Sequence, residues 1–432
     1  MPGIQGMPFA YGQTLGTIEL NPAKSAPDRI VVLASHQIDH MRKALTACKM
    51  HVPAALIVID GAPLSHTMIS LLSLGIPIAI LTQAQASTLP AGTPIFIDGG
   101  TGWISVSGEP SSFLCTAIPG PPRLGAPLSS ADGQAVFLMT SISNTESAAV
   151  AVTNGAAGIG LVRSEYLQPA DGNVPDTAFY IRALGDIGRA AAPLPVTVRL
   201  LDIAPDKHPP WLNTTQPPQS LLGLQGVRLY EAGPVRHAFQ AQVEALRQLN
   251  AEYELSVLLP YITCVEEFRH WRSKTENLLS LPMTVGAMAE TPAAVLAIAE
   301  LLEETNLVAI GCNDLMQCLY AADRDLAPVS HLLDPCQPAI FRFLQLAANQ
   351  AGGAIDRVRL CGLLPQSPGI LPILLGMGYR TFSVEPHQLP YLADIVRSTD
   401  TDAARTLASA VCAARDVAQV RALLHLPARP GY

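Results

Sequence analysis

The stretch Met283-Thr-Val-Gly-Ala-Met-Ala-Glu290-Thr-Pro-Ala-Ala-Val-Leu-Ala-Ile-Ala-Glu-Leu-Leu-Glu-Glu-Thr-Asn306 runs directly into Leu307-Val-Ala-Ile-Gly-Cys-Asn313-Asp314. The apolar runs at its two ends are short and bounded by polar residues, as strands buried on both faces are. Between them, Thr291-Pro292 reads as a helix N-cap followed by proline at the first helical position. The unit is strand, helix, strand. Each strand ends on polar side chains, Glu290 in the first case and Asn313 with Asp314 in the second.

The same alternation extends in both directions. Strands are expected over Ala135–Ile142, Gly158–Arg163, Val196–Asp202, Gly226–Leu229, Leu255–Ile262, Met283–Glu290, Leu307–Asn313 and Val358–Gly362. Eight strand-helix units without a near-identical repeat fit a parallel (β/α)8 TIM barrel better than an open sheet, and residues 134–432 are assigned to it. Residues 1–108 read as a compact α/β unit, with strands around Ile30–Ala34, Ala55–Ile59, Pro77–Leu81 and Pro94–Ile97 and one helical stretch after His66. Residues 109–133 carry Pro110, Pro119, Pro121, Pro122 and Pro127 among Ser and Gly, the composition of a semi-rigid linker.

Composition narrows the function classes. Of 432 residues 49% are hydrophobic and 14% charged, so a large share of the chain must be buried. The net charge of −8 argues against a nucleic-acid partner. Gly61–Ile97 contains no Asp, Glu, Lys or Arg, but Pro63, His66, Gly75, Pro77, Gln83 and Gln85 interrupt it, so no membrane span is expected. The N-terminus has neither a basic start nor an apolar signal core. Eight scattered cysteines with no Cys-x-x-Cys pair fit reduced thiols in a cytoplasmic protein.

Polar residues able to do chemistry sit at or near the ends of five strands: Arg163, Arg199 with Asp202, Glu290, Asn313 with Asp314, and Cys361. One charged residue at a strand end is usually a solvated loop residue, but in a β/α barrel these ends converge on the face that holds the active site. Glu290 and Asp314 are hard oxygen donors suited to Mg²⁺ or Mn²⁺. Arg163 and Arg199 offer planar forks for phosphate. Gly155-Ala-Ala-Gly-Ile-Gly160 is not a dinucleotide fingerprint, because its glycine order is reversed and it leads into a strand. His66 and Cys361 carry no functional meaning in isolation, since lone histidines are usually structural and buried cysteines behave as small hydrophobes.

The phrases Gly155-Ala-Ala-Gly-Ile-Gly-Leu-Val-Arg-Ser-Glu-Tyr-Leu167, Val196-Thr-Val-Arg-Leu-Leu-Asp202, Glu290-Thr-Pro-Ala-Ala294, Gly311-Cys-Asn-Asp-Leu315, Ala321-Ala-Asp-Arg324 and Leu360-Cys-Gly362 resemble the PEP-utilising enzymes. These are Enzyme I of the sugar phosphotransferase system, pyruvate phosphate dikinase and PEP synthase. In the N-terminal part, Gly6-Met-Pro-Phe-Ala-Tyr-Gly12 resembles the opening strand of Enzyme I, and Ala62-Pro-Leu-Ser-His-Thr67 the motif of the swivelling phosphohistidine domain. The resemblance implies that His66 accepts a phosphoryl group from phosphoenolpyruvate and that Arg163, Arg199, Asn313 and Arg324 contact the substrate. It implies further that Glu290 and Asp314 hold the metal, and that Cys361 protonates the enolate carbon to release pyruvate. A homodimer joined through the barrel is also implied. Ten residues of continuous helix after Asp314 would carry Arg324 about 15 Å away, so this segment must turn back.

Three positions depart from the family pattern: Leu64 stands for a threonine, Gln225 for an arginine and Leu363 for a glutamate. Leu71-Leu72 also stands where the family has Ala-Arg. Only a short stretch separates Leu20 from Ile30, leaving no room for the helical domain with which Enzyme I docks its small phosphocarrier protein. No ATP-grasp segment is present either. The expected acceptor is thus a separate protein or small molecule that the sequence does not identify. The alternatives are a PEP-binding regulatory protein with little turnover, or a lyase or mutase on a related PEP/pyruvate barrel.

Overall fold

The computed structural model describes residues 3–47, 49–106, 120–204, 209–212 and 222–428. Residues 4–105 build one mixed eight-stranded sheet. Its centre is parallel, from Gln13–Glu19 through Arg29–Ala34 and Ala55–Ile59 to Ile78–Leu81, and antiparallel strands flank it on both sides. Strict alternation decides its two faces. Val31, Leu33, Leu56, Val58, Ile78 and Ile80 join the main core, while Ile30, Val32, Ala55, Ile57, Ala79 and Leu81 pack in a second cluster on the opposite face.

The remainder closes into a barrel of eight parallel strands: β1 (Ala135–Ile142), β2 (Ile159–Arg163), β3 (Val196–Arg199), β4 (Leu255–Ile262), β5 (Thr284–Ala289), β6 (Val308–Gly311), β7 (Val358–Cys361) and β8 (Thr381–Val384). β1 pairs with both β2 and β8, which closes the ring. Side-chain caps fix several strand-to-helix corners. Asn144 accepts from Ser147 N after β1 and Thr291 from Ala294 N after β5. Each corner therefore presents its residues at the C-terminal rim.

The count of eight strands holds, but one member differs. Gly226–Leu229 is a 3₁₀ turn, because Gly226 adopts φ +54°, outside any strand conformation. The eighth strand is Thr381–Val384, a four-residue run too short and too polar at its start to stand out in the sequence. Of the stretch 109–133 read as linker, residues 109–119 lie outside the described residues, as do Cys48 and Cys115. Leu128–Ser129 forms a short antiparallel pair with the start of β1. No disulfide joins the six described cysteines. Among the described residues no helix is long and apolar enough to cross a membrane.

The two units share one core. The apolar cluster that contains Phe9, Leu64, Met68 and Leu72 is continuous with the shell of the barrel. Polar and aromatic contacts join them as well: Tyr11 N donates to Gln388 Oε1 over 3.0 Å, and Tyr11 stacks on Tyr391.

Candidate active site

A cavity opens between the barrel rim and the small unit, and its lining includes His66, Arg163, Arg199, Glu290, Asn313, Asp314, Arg324 and Cys361. All eight residues singled out in the sequence therefore meet, although they span positions 66 to 361.

Arg199, the last residue of β3, lies at the centre of its acidic group. Its guanidinium bonds Glu165 closely, Asp202 at 3.0 Å and Glu290 at 3.5 Å, and all four side chains are 5% exposed or less. Burial draws its pKa down, but Asp202, Glu165 and Glu290 outweigh that and raise it well above the ordinary value. Arg199 is thus a fixed cation. Glu290 is also held from the other side by the backbone N–H of Tyr261 at 3.0 Å. Tyr261 reaches this position through a left-handed φ of +52° within β4, where the register with β5 shifts. Such a conformation is unfavourable for a non-glycine residue and requires its surroundings to hold it.

Asp202, Glu290 and Asp314 bring carboxylate oxygens within 4.8 Å of one another. Three hard donors at that spacing, two of them buried, match what a small divalent cation needs. Glu290 and Asp314 were expected in this role; Asp202 adds a third donor. Asp314 Oδ1 is braced by Gln317 Nε2 at 2.9 Å and faces Arg324 Nη2 at 3.4 Å.

Arg324 does turn back. The helix Cys312–Tyr320 ends at Ala321 in a left-handed conformation (φ +50°), and Arg324 N then donates to Gln317 Oε1 at 2.9 Å. The guanidinium thereby returns over the rim, where Nη2 lies 2.8 Å from His66 Nε2. His66 is the first residue of the helix His66–Leu71, which Ser65 caps by accepting from Met68 N. Its Nδ1 lies 2.8 Å from Asp325 Oδ2, and its backbone N donates to Asp325 Oδ1 at 2.9 Å.

Asn313 Oδ1 accepts from Leu363 N at 2.9 Å, across Gly362 at φ +102°. A Cβ at Gly362 would come within 2.8 Å of that oxygen, so the turn requires glycine. Cys361 closes β7 and is buried beside Leu161, Leu258 and Met288; burial pushes its thiol up to about 11. The group is a protonated thiol at neutral pH.

Sequence reasoning assigned no role to Glu165, Asp325 or Glu385. Glu165 stands in the quoted Arg-Ser-Glu motif, yet only the 3₁₀ turn Ser164–Tyr166 reveals that it folds back onto Arg199. Glu385 pairs with Arg163 at 3.0 Å and is raised in pKa by burial, which Arg163 opposes. It follows β8 as Glu290 follows β5, so finding that strand would have found it. The departures Leu64, Gln225 and Leu363 are all buried, and none of them lines the cavity. Leu363 instead borders a cleft shared with Met7, Pro8, Phe9 and Pro63 of the small unit.

Residues 124–401 match the PEP-binding domain of PEP-utilising enzymes. The chain belongs to this family. It is 32% identical over 394 residues to a phosphoenolpyruvate-protein phosphotransferase of Haloferax volcanii, covering 86% of this chain and 68% of that protein. The protein of the same description from Streptomyces coelicolor is 30% identical, with 81% of this chain and 64% of the relative covered. Multiphosphoryl transfer protein 1 of Escherichia coli is 27% identical, with 83% and 46% covered. The chain thus spans from about half to about two thirds of the length of these relatives.

Proposed function

We propose that this chain transfers the phosphoryl group of phosphoenolpyruvate to Nε2 of His66 and releases pyruvate. The observation that carries this reading is the 2.8 Å contact between His66 Nε2 and Arg324 Nη2 inside the cavity formed with Arg163 and Arg199. A guanidinium has donors only, so Nε2 accepts, and its lone pair is engaged by Arg324 at the cavity wall until phosphorus takes that place. Arg163, Arg199, Asn313 and Arg324 line that cavity and would contact the substrate, the arginines offering positive charge to its phosphate and carboxylate while Arg199 also balances the surrounding carboxylates. In the transfer the bond from phosphorus to the enol oxygen breaks and the bond to Nε2 forms. Cys361 then gives its S–H proton to the methylene carbon of the enolate, completing pyruvate, and the thiolate regains a proton from solvent. Glu290 and Asp314, with Asp202, would hold Mg²⁺ or Mn²⁺, which when bound offsets the negative charge of phosphate and enolate oxygens.

The phosphoryl acceptor is a separate protein or small molecule, and the chain acts in the cytoplasm as a homodimer; sedimentation as a single chain at micromolar concentration would overturn the dimer. The readings of a regulatory binder or of a lyase or mutase gain no support from the site. The three departures from the family pattern lie outside the cavity, and His66 lines it.

The test is incubation with phosphoenolpyruvate and Mg²⁺, followed by assay of pyruvate and of acid-labile phosphate on the protein. His66→Ala should abolish phosphoprotein and leave phosphoenolpyruvate binding intact. Phosphate on another residue, or undiminished pyruvate exchange in that variant, would refute the proposal.

A further inference from the structure

We infer that Asp325 is the positioning residue for the His66 imidazole, fixing its reactive tautomer from the opposite side of the domain interface. This inference rests on the phosphotransfer reading above. Its two oxygens are divided between two groups of one residue, with Oδ1 accepting from the backbone N–H of His66 at 2.9 Å and Oδ2 facing Nδ1 at 2.8 Å. Because Arg324 occupies Nε2 as an obligatory donor, the neutral ring carries its proton on Nδ1, and that N–H donates to Asp325. The pair of contacts admits one neutral tautomer, the one with its lone pair on the nitrogen that faces the substrate cavity.

The hydroxyls nearest in the sequence are engaged elsewhere. Ser65 Oγ donates to Ala62 O, accepts from Met68 N and lies 3.1 Å from Thr67 Oγ1. Residue 64 is a buried leucine. Burial raises the Asp325 pKa, but the hydrogen bonds from His66 outweigh it and hold the carboxyl below its ordinary value, so it is an acceptor at neutral pH. As a partly exposed pair it adds little to stability. Its effect is on orientation. Since Asp325 follows Arg324 on the barrel, both constraints on the ring exist only while the two units are docked. When phosphorus is transferred, Nε2 forms the new bond and becomes part of a cation, which the adjacent carboxylate stabilises through the same Nδ1–H bond.

The test uses the full chain in three forms: the wild type, Asp325→Ala and Asp325→Asn. With selectively ¹⁵N-labelled histidine, and His66→Gln to assign the signal among ten histidines, the ring nitrogens are read at a pH where the imidazole is neutral. The wild type should show protonated Nδ1. Because Arg324 still donates to Nε2, Asp325→Ala and Asp325→Asn should both keep the proton on Nδ1 but shift the Nδ1 and Nδ1–H signals as the bond to the carboxylate is lost. In rapid-quench phosphorylation, Asp325→Ala should slow phosphate arrival on His66 by about ten- to a hundredfold at saturating phosphoenolpyruvate, the equivalent of one hydrogen bond to a charged group. KM should stay within about twofold, because Asp325 does not line the substrate cavity. Nδ1 signals unchanged in both variants, or an undiminished rate in Asp325→Ala, would overturn the inference. If the wild type itself takes no phosphate on His66, the phosphotransfer reading fails, and the ¹⁵N spectra alone then support or overturn the positioning role.

Discussion

Replacing Arg199 with methionine should destabilise the barrel more than any other single change at the site. The side chain is 5% exposed and stands between Glu165, Asp202 and Glu290, whose carboxylates are no more exposed. Removing it takes away the guanidinium that pairs with all three of these buried acids. Breaking a buried ion pair costs about 3–5 kcal/mol, and for a domain of this size each kcal/mol lowers Tm by about 2–4 °C, so a fall of about 6–20 °C is expected. Arg359→Met is the contrasting variant. Arg359 is also buried inside the barrel, but its partners are Gly160 O and Thr197 Oγ1, with no carboxylate in ion-pair range among the described residues, and burial lowers its pKa. Replacing an uncompensated buried cation by an apolar side chain of similar length should leave Tm unchanged or raise it. The assay is scanning calorimetry in chelator and again with Mg²⁺. The cation should raise the Tm of Arg199→Met more than that of the wild type, since ligand at about 100 times its Kd contributes about 2.7 kcal/mol. A fall below about 3 °C, or equal falls in both variants, would refute the assignment of Arg199 as the counterion that holds the site together.

Glu290→Gln and Asp314→Asn should each abolish Mg²⁺ binding in calorimetry, and Asp202→Asn should weaken it; unchanged binding in the first two would remove the metal assignment. Cys361→Ala should cut pyruvate formation about a hundredfold or more while leaving phosphoenolpyruvate affinity unaltered, and an undiminished rate of pyruvate formation would remove Cys361 as the proton donor. With its thiol raised to about 11 and buried, Cys361 should also react with iodoacetamide far more slowly than the exposed Cys264 at neutral pH, as peptide mapping can show. Asp132 is held down to about 2 by hydrogen bonds from Ser130 and Thr401. A depressed carboxylate gives stability that is present above its ordinary pKa of 3.8 and lost as pH falls toward 2, so Asp132→Asn should flatten the acid limb of the stability profile.

What the sequence made legible follows from which signals are local. Strands buried on both faces are continuous apolar runs, so seven of the eight barrel strands could be read, and with them every rim residue that directly follows a strand. β8 was missed because Thr381 and Ser383 alternate with its two apolar residues and break the continuous apolar run, and Glu385 was lost with it. Gly226–Leu229 looked like a strand because a short apolar run does not reveal the positive φ of its first residue. Asp325 and the return of Arg324 depend on the left-handed turn at Ala321, a tertiary outcome that no periodicity encodes. Asp202, the third carboxylate of the acidic cluster, was visible as a residue but not as a partner, since proximity to Glu290 and Asp314 exists only in the closed barrel.

Two of the three departures from the family pattern acquire a common meaning once their places are known. Leu64 and Leu363 are both fully enclosed, Leu64 in the core that runs between the two units and Leu363 beside the cleft that Pro63 and Phe9 share with the barrel. At both positions a polar side chain has given way to an apolar one along the seam where the small unit meets the barrel. Apolar burial is non-directional and holds the units together without orienting a ring. Orientation must come from directional bonds, and those to the His66 imidazole arise from Arg324 and Asp325 on the barrel side. On the phosphotransfer reading proposed above, docking and activation of the nucleophile are therefore one event. The apolar seam brings His66 to the rim, and the rim then fixes which nitrogen can react. An acceptor that drew the small unit away would meet an imidazole released from both constraints, so onward transfer should be insensitive to Asp325→Ala while phosphorylation is not. Measuring the two half-reactions separately in that variant tests this; equal slowing of both would show that Asp325 acts on the ring away from the barrel, contrary to the geometry described above.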